Sequence, residues 1–380
     1  MNSNNSNNDP APPLYAPEES MRIREENYRH TQNFNLFQEA MLWHARENHI
    51  PYKGTFELTP RCNMKCRMCY MRLDPPQIKA QGRELTAEEW IALGRMAFEA
   101  GTVDLLLTGG EPMLRKDFKA IYTALSDMGF LLRVFTNATL ATPDIIDLLR
   151  DRPPQGMEIT LYGASAETYR RIGGWDEGYA RAIAAVDALR EFLPSLKLKM
   201  TITRGNAADY PALHAFAQAR ALRLEPTVQP FPAVRGACST ALAERLSVDE
   251  LLDFCTKHGI AVSGEACSSP DPDKRASLFC DAGLNTYAIL WNGDMAACTV
   301  DDDPARPIGR PLEEGFAAAW DKLKAFREGK PLPEDCKTCP VFGECGCCAV
   351  HHRIESGAYD VRAKYVCDFA RRMTGNEVLG

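Results

Sequence analysis

Short apolar strands alternate with helices between residues 54 and 229, and this alternation constrains the fold more than any other feature. The pattern predicts six strands, over residues 55–59, 103–107, 131–135, 157–161, 196–202 and 224–229. Helices are predicted between them, over residues 86–100, 117–128, 143–149, 166–192 and 210–220. Because right-handed crossovers join the strands in such repeats, they form one parallel sheet. The sequence therefore predicts an α/β fold, a partial (βα)6 TIM-like barrel.

Cysteine-rich and polar loops follow the ends of the first four predicted strands. The run RCNMKCRMCY contains Cys62, Cys66 and Cys69 and follows the first strand, and GGEP follows the second. Asn137 lies just past the third strand, and the letters YG follow the fourth. Barrel-like parallel sheets form their sites on the face where the strands end. We therefore expect these loops to converge in space although they are distant in sequence.

The spacing C-x-x-x-C-x-x-C of Cys62, Cys66 and Cys69 indicates a metal centre. Three thiolates can hold three irons of a [4Fe–4S] cluster and leave the fourth iron open, whereas an electron-carrying cluster normally takes four cysteines. The alternatives are a zinc site or cysteines buried in a core. Zinc-binding pairs usually have a second pair nearby, and no fourth Cys or His follows closely here. The pattern therefore favours an iron–sulfur cluster.

Composition limits the classes of function. The chain has 380 residues with 44 basic and 51 acidic side chains, a net charge of −7, which gives no support for nucleic-acid binding. No apolar run is long enough to span a membrane. The polar, Pro-rich start MNSNNSNNDPAPP lacks a signal-peptide pattern and predicts a disordered tail over residues 1–20 and a cytoplasmic protein. Fourteen cysteines in such a chain indicate metal binding rather than disulfides.

Three further segments complete the predicted organisation. Residues 21–50 are predicted to form a helical extension, residues 51–250 the partial barrel, and residues 251–380 a small second domain. In the second domain helices are expected to be sparse, while Gly, Pro and Cys increase. Residues 287–291 and 294–299 predict a β-hairpin with an Asn292-Gly293 turn. We expect metal, rather than a large core, to hold this domain together.

The cysteine run and GGEP together resemble the radical S-adenosylmethionine (SAM) superfamily. The resemblance implies that Cys62, Cys66 and Cys69 hold a [4Fe–4S] cluster and that SAM chelates its open iron. It also implies that SAM is contacted by Met68, Gly109, Gly110, Glu111, Asn137 and Thr160. Taken without the resemblance, the two glycines indicate that the backbone approaches another group closely, but a tight turn explains them equally well. Strand-end polar residues often cap turns, and methionine often fills gaps.

The C-terminal cysteines resemble the SPASM domain, which holds auxiliary iron–sulfur clusters in radical SAM maturases. The resemblance implies an outer cluster held by Cys336, Cys339, Cys345 and Cys367. It implies an inner cluster held by Cys280, Cys298 and Cys348, with Cys267 as a possible fourth ligand. The family usually has three residues between the cysteines matching Cys345 and Cys348, and this chain has two, so Cys347 could replace Cys348. Two zinc sites are the alternative.

Neighbouring residues of these cysteines are expected to have ordinary roles. His351 and His352 are predicted to lie on the surface, and Cys255 is predicted to be a buried helical residue. Sulfatase maturases have an aspartate directly after the cysteine that matches Cys298, but Thr299 follows here. The run of three aspartates at residues 301–303 is expected to be a solvated loop. This difference argues against sulfatase maturation.

The resemblance implies a radical SAM/SPASM oxidoreductase with one radical-generating and two auxiliary [4Fe–4S] clusters. Its 5′-deoxyadenosyl radical would functionalise a C–H bond, with a ribosomally made peptide or protein side chain as the expected substrate and a crosslink or epimerisation as the expected reaction. A flavodoxin or ferredoxin would supply electrons. One alternative is a small-molecule substrate, such as a porphyrin or sugar intermediate. Another is a non-catalytic iron–sulfur sensor, which would not need an open iron beside GGEP.

Overall fold

The computed structural model of the chain describes residues 37–237, 239–260, 280–301, 303, 307–342 and 345–375. The chain divides into two compact units, residues 1–48 and 49–380. The first unit contains helix α1, residues 37–47, which falls within the predicted extension. The predicted tail, the start of that extension, Cys238, Cys267 and Asp302 lie outside the described residues.

Eight strands form the sheet, and each of the six predicted strands is confirmed to within two residues of its predicted bounds. The strands are β1 Lys53–Glu57, β2 Asp104–Thr108, β3 Leu131–Thr136, β4 Gly156–Thr160, β5 Leu196–Thr201, β6 Arg223–Thr227, β7 Thr286–Ile289 and β8 Met295–Ala296. Their order in the sheet is β6-β5-β4-β3-β2-β1-β7-β8. The first six strands pair in parallel, and β6 and β8 lie at opposite edges, so the sheet is an open, partial barrel.

The predicted C-terminal hairpin is confirmed in a shortened form. Strands β7 and β8 pair antiparallel, and Gly293 in the turn between them has a φ of +90°, which favours glycine. Strand β7 also pairs in parallel with β1, with Lys53 opposite Thr286 and Phe56 opposite Ile289. The hairpin therefore extends the sheet beside the strand that leads into the cysteine run, an arrangement that the sequence did not predict.

Helices form most of the connections between the parallel strands and recur in the C-terminal part of the chain. After α1 they are α2 Pro75–Gln81, α3 Ala87–Glu99, α4 Phe118–Asp127, α5 Pro143–Asp151, α6 Ala166–Gly173, α7 Glu177–Leu189, α8 Tyr210–Gln218, α9 Ala241–Glu244, α10 Val248–His258, α11 Pro311–Glu314, α12 Phe316–Glu328, α13 Glu334–Lys337, α14 Ala349–Ser356 and α15 Lys364–Met373. The capping box expected at the start of α3 is present, with Thr86 accepting from the Glu89 backbone and Glu89 accepting in return. None of the described helices is long and apolar enough to cross a membrane.

Two predictions about helices were wrong. The single helix expected over residues 166–192 is two helices, because Gly174 ends α6 with a φ of +73° and Asp176 caps the start of α7. Helices are also not sparse after residue 250. Helix α12, for example, runs for 13 residues between Gly315 and Gly329 and buries Trp320 and Leu323. The sequence of α12, FAAAWDKLKAFRE, contains no cysteine and has an ordinary helical pattern that the prediction overlooked.

The main core lies against the sheet and fixes where the strands end. Alternate residues of the strands are buried, as in the burial of Leu132, Val134 and Thr136 along β3. Trp90 of α3 is fully buried and packs against Phe56 of β1, with 5.0 Å between the ring centroids. Because one continuous core supports the parallel strands, the loops at their ends are held at a common face.

Candidate active site and metal centres

The cysteine run begins directly after β1 and is held in place by backbone hydrogen bonds from distant segments. The amide of Lys65 donates to the carbonyl of Gly173 at 2.8 Å, and the amide of Arg67 donates to that of Ile172 at 2.9 Å. Both carbonyls belong to the last turn of α6, whose final carbonyl groups have no partner within the helix. The end of α6 therefore positions the loop that carries the three cysteines.

The thiols of Cys62, Cys66 and Cys69 line a single cavity. Burial raises the pKa of Cys62 to about 12, with a further contribution from the charge of Glu111. Burial also raises the pKa of Cys66 well above its usual value, and negative charge on Cys69 and Cys62 adds to this. None of the described cysteines forms a disulfide. Grouped, buried thiolates need a positive partner, and the irons of a cluster would supply it, so these residues fit the predicted cluster.

The GGEP turn after β2 packs directly against the cysteine loop. The amide of Gly110 donates to the carbonyl of Thr59 at 2.7 Å, and the amide of Glu111 donates to that of Arg61 at 2.9 Å. A Cβ on Gly109, whose φ is +149°, would lie 2.5 Å from the Thr59 oxygen, and one on Gly110 would lie 2.2 Å from the Arg61 oxygen. Both glycines are therefore required because two backbones meet at this point.

Glu111 links the loops that follow β2 and β3. Its carboxylate is fully buried and accepts hydrogen bonds from the Thr136 hydroxyl at 2.7 Å, the Asn137 amide at 2.8 Å and the Met113 amide at 3.0 Å. Burial outweighs these donors and raises the pKa of Glu111 to about 7. Unlike the two glycines, Glu111 does not line the cavity. Its role in binding SAM stays a prediction, and in this structure it organises the loops.

Asn137 presents its amide nitrogen to the cysteine loop. Its oxygen accepts from the Thr139 hydroxyl at 2.6 Å, which fixes the orientation of the side-chain amide. The nitrogen then donates to Asn63 at 3.1 Å and lies 3.6 Å from the sulfur of Cys62. Glu111 holds the backbone of Asn137, so a continuous series of hydrogen bonds runs from the GGEP turn to a cysteine of the triad.

The cavity lies where the parallel strands end and has a volume of about 320 Å³, within the size range of small-ligand sites. Besides the triad, the predicted SAM-binding residues that line it are Met68, Gly109, Gly110, Asn137 and Thr160. Their contacts with SAM stay predictions. The structure therefore brings all the predicted residues of the barrel to one place, with Glu111 just behind the wall.

Several lining residues were not predicted individually, although Tyr70 ends the cysteine run and Tyr162 begins the YG loop. They include aromatic side chains and the ends of β5 and β6, namely Tyr70, Phe135, Tyr162, Lys199, Thr201, Thr227, Gln229 and Phe231. Lys199 is the one charged side chain among the described lining residues, and its ammonium lies 3.0 Å from a Glu158 oxygen. The alternation of polar and apolar residues in LKLKMT was the available signal that Lys199 shares a face of β5 with Thr201.

A buried ion pair connects the end of β1 to the loop after Cys298. Arg235 donates to both carboxylate oxygens of Glu57, at 2.9 and 2.8 Å, and to the carbonyl of Thr299 at 2.9 Å. The hydroxyl of Thr299 lies 3.3 Å from that of Tyr70. Since Tyr70 follows Cys69, the residues directly after a triad cysteine and after a C-terminal cysteine are in contact.

Cys280, Cys298 and Cys348 form the group predicted for the inner cluster. Burial is the main cause of the raised pKa of Cys298, and the charges of Asp301, Cys280 and Cys348 raise it further. The expectation of a solvated aspartate loop was wrong for Asp301, which is fully buried. The amide of Asp301 donates to the carbonyl of Cys298 at 3.2 Å, and this turn brings the side chain inward. Cys267 lies outside the described residues.

The four cysteines predicted for the outer cluster line a second, small cavity together with Cys347 and His352. These four are Cys336, Cys339, Cys345 and Cys367. The structure thus places Cys347 beside the outer group and Cys348 beside the inner group. Which of these cysteines bind iron stays a prediction. Within the described ranges no three His, Cys, Asp or Glu side chains are arranged to hold a single metal ion. The choice between iron–sulfur clusters and zinc at these particular cysteines stays a prediction.

The expectation of surface histidines was wrong. His351 is 8% exposed and His352 is 1% exposed on α14, and burial lowers the pKa of His352 to about 4. The ring of His351 packs against Phe231 and lies 3.6 Å from Glu355, whereas that of His352 lies between two cysteines. Cys255 is buried in α10, as predicted.

The comparisons with known proteins agree with this geometry. Residues 56–214 match the family model of the radical SAM superfamily, and residues 280–340 match that of the SPASM iron–sulfur cluster-binding domain. A PqqA peptide cyclase of Rhizobium meliloti is 30% identical, over 80% of this chain and 84% of that protein. The chain belongs to the radical SAM superfamily. SAM and iron–sulfur clusters are accordingly the cofactors of this radical SAM enzyme.

Other relatives and solved structures agree with this assignment. The sporulation killing factor maturation protein SkfB of Bacillus subtilis is 25% identical, over 78% of this chain and 70% of that protein. Streptococcus suis SuiB bound to SAM has a TM-score of 0.61 at 15% identity, covering 95% of this chain and 83% of SuiB. The native anSMEcpe with bound SAM has a TM-score of 0.63 at 14% identity, covering 86% of this chain and 96% of anSMEcpe. At these identities the structural likeness shows the fold alone.

Proposed function

We propose that this radical SAM enzyme modifies a ribosomally made peptide by forming a crosslink or by epimerising a residue. The observation that carries the proposal is the single cavity shared by the cysteine triad and the ends of five strands, in a chain 30% identical to a PqqA peptide cyclase. SkfB, the maturation protein of a sporulation killing factor, supports the same class of substrate. A cytoplasmic location and a flavodoxin or ferredoxin as electron donor are parts of this proposal.

Each group of residues has a proposed role at the cavity. The triad would hold the SAM-binding cluster, and the backbones of Gly109 and Gly110, with Asn137 and Thr160, would bind SAM. When bound, these cofactors supply a radical that removes hydrogen from an unactivated carbon. The chain itself orients the reactants and excludes water. The thioether of Met68 and the aromatic rings of Phe135 and Tyr162 form an apolar part of the cavity wall that helps to exclude water.

The C-terminal cysteines would hold two further clusters. Cys280, Cys298 and Cys348, with Cys267 as a possible fourth ligand, are proposed for the inner cluster. The outer cluster would be held by Cys336, Cys339, Cys345 and Cys367. The contact between Tyr70 and Thr299 places the loop of the inner group against the wall of the cavity, so the inner cluster would be the one near the substrate.

Mass spectrometry of candidate precursor peptides tests the proposal. The reconstituted enzyme, SAM and a reductant are incubated without oxygen with short peptides encoded beside the gene. Loss of two hydrogen atoms is expected for a crosslink, and uptake of one solvent deuterium for an epimerisation. The variant with Cys62, Cys66 and Cys69 changed to Ala should do neither, whereas Cys255→Ala, a buried cysteine outside all three groups, should remain active.

A small-molecule substrate is the second candidate. The AdoMet-dependent heme synthase of Methanosarcina barkeri is 30% identical, but over 40% of this chain and 43% of that protein. Peptides that remain unmodified, while a porphyrin or sugar intermediate drives formation of 5′-deoxyadenosine, would replace the peptide proposal with this one.

A further inference from the structure

His352 lies between two sulfur atoms at the outer group of cysteines. Its Nε2 atom is 3.8 Å from the sulfur of Cys336, and its Nδ1 atom is 3.4 Å from the sulfur of Cys347. The backbone amide of Ala363 lies 2.9 Å from the same Nδ1 atom. The imidazole is 1% exposed, so water does not compete for these contacts.

The Ala363 contact fixes which ring nitrogen carries the proton. A backbone N–H can only donate, so the Nδ1 atom must accept. A neutral imidazole that accepts at Nδ1 carries its hydrogen on Nε2. The N–H of His352 therefore faces Cys336, while the single lone pair of Nδ1 accepts from the Ala363 amide.

We propose that His352 is a positioning residue that donates a hydrogen bond to the sulfur of Cys336 and raises the reduction potential of the outer auxiliary cluster. This inference rests on the proposed binding of that cluster by Cys336. Hydrogen bonds to ligand sulfurs withdraw negative charge from a cluster and favour its reduced form. Burial strengthens the effect, because a hydrogen bond is electrostatically stronger where water is excluded.

The neighbouring histidine provides a matched control. His351 lies on the same helix and is also buried, but its imidazole packs against Phe231 and approaches Glu355. His351→Gln should therefore leave the outer cluster unchanged. His352→Phe fills a similar space without a donor, and His352→Gln keeps a donor group in the side chain.

Redox titration of the reconstituted holoenzyme, monitored by electron paramagnetic resonance, tests the inference. The cluster whose signal responds to SAM is assigned to the triad, which leaves two auxiliary signals. In His352→Phe, one of these two auxiliary clusters should become harder to reduce. Its ratio of reduced to oxidised form at a fixed potential should fall about tenfold, which corresponds to a reduction potential lower by about 59 mV. The reduction potential of the other auxiliary cluster should not change. In His352→Gln, the potential of the affected cluster should lie between the wild-type and His352→Phe values. A His352→Phe variant with its full iron content, about twelve per chain, and unchanged potentials would overturn the inference.

A second measurement tests the inference if the His352→Phe variant fails to retain the outer cluster. The wild-type enzyme labelled with ¹⁵N-histidine should show, by pulsed resonance, coupling of one histidine nitrogen to an auxiliary cluster, and so should His351→Gln. If this coupling is absent, the inference is overturned, while the proposed function remains intact. A wild-type enzyme with only about four irons per chain would instead overturn the proposed auxiliary clusters and, with them, this inference, because no auxiliary cluster would then be present.

Discussion

Replacing Gly110 by Ala should disable the cofactor site while leaving the fold in place. The new Cβ would lie 2.2 Å from the carbonyl oxygen and 2.6 Å from the carbonyl carbon of Arg61, next to Cys62. Both atoms belong to backbone, so no side chain can rotate away. Gly110 does not have a positive φ, and the effect of the substitution is therefore steric rather than conformational.

The size of the effect follows from the displacement that relieves the clash. The Cβ-to-oxygen distance must increase from 2.2 Å to at least 3.0 Å, so the GGEP turn and the cysteine loop must separate. Overpacking of this kind typically costs about 1–3 kcal/mol of stability. A misplacement of about 1 Å at reacting groups can lower a rate about a hundredfold. We therefore expect SAM cleavage to fall about tenfold to a hundredfold, with folding retained.

The assay measures 5′-deoxyadenosine under anaerobic conditions and melting temperature in parallel. Gly156→Ala is the matched control, because a Cβ at Gly156 would meet only the Arg133 side chain at 3.8 Å, an ordinary contact. This control should retain wild-type cleavage. A Gly110→Ala enzyme that cleaves SAM at the wild-type rate would show that the two loops are not in the contact described here.

Two further substitutions test the C-terminal assignment and the buried ion pair. Cys348→Ala should lose about four irons of about twelve, by iron analysis, because Cys348 belongs to the inner group, whereas Cys347→Ala should lose none. Equal iron loss in both would contradict the assignment. Arg235→Met leaves Glu57 buried without its partner and should cost about 3–5 kcal/mol by denaturant unfolding. Arg83→Met, which breaks an exposed pair, should cost little, and equal losses would refute this reasoning.

Local patterns predicted the elements that depend on neighbours in sequence. The capping box of Thr86 and Glu89 and the six parallel strands were read from spacing alone, and the structure confirms them. The glycines of GGEP indicated a close backbone approach. The sequence did not reveal that the partner would be the loop of Thr59 and Arg61, some 50 residues earlier. Such a pairing depends on the register of β1 and β2, which sequence spacing does not specify.

Features that depend on distant packing were missed or misread. The pairing of β7 with β1 joins Lys53 to Thr286, and no short-range pattern encodes it. Paired histidines in a polar helix are typical of surface residues, but α14 buries His352 between Cys336 of α13 and Cys347, which precedes the cap of α14. Asp301 was misread for the same reason, because a run of three acids is usually solvated. In each case the tertiary environment changed the meaning of an ordinary residue.

Glu111 provides a prediction about pH that tests how its carboxylate is held. Burial raises the pKa of Glu111 from 4.5 to about 7 in the folded protein, although three donors oppose the shift. Between these pH values the folded state keeps a proton that the unfolded state has lost. The contribution of Glu111 to the free energy of unfolding is therefore full below about pH 4.5 and falls as pH rises to about 7, by up to about 3 kcal/mol.

Comparison with Glu111→Gln isolates this contribution, because glutamine does not titrate. Glutamine keeps one acceptor oxygen and has an NH2 group in place of the other, so the variant loses part of the hydrogen bonding to Thr136 and Asn137 at every pH, which shifts its stability by a constant amount. Other titrating groups contribute equally to both proteins and cancel in the difference. Denaturant unfolding of the two reconstituted proteins at several values between pH 5 and pH 8 should therefore show the wild type losing stability relative to the variant as pH rises. A difference that stays constant across this range would mean that Glu111 is ionised throughout, and that its three donors, rather than burial, decide its charge.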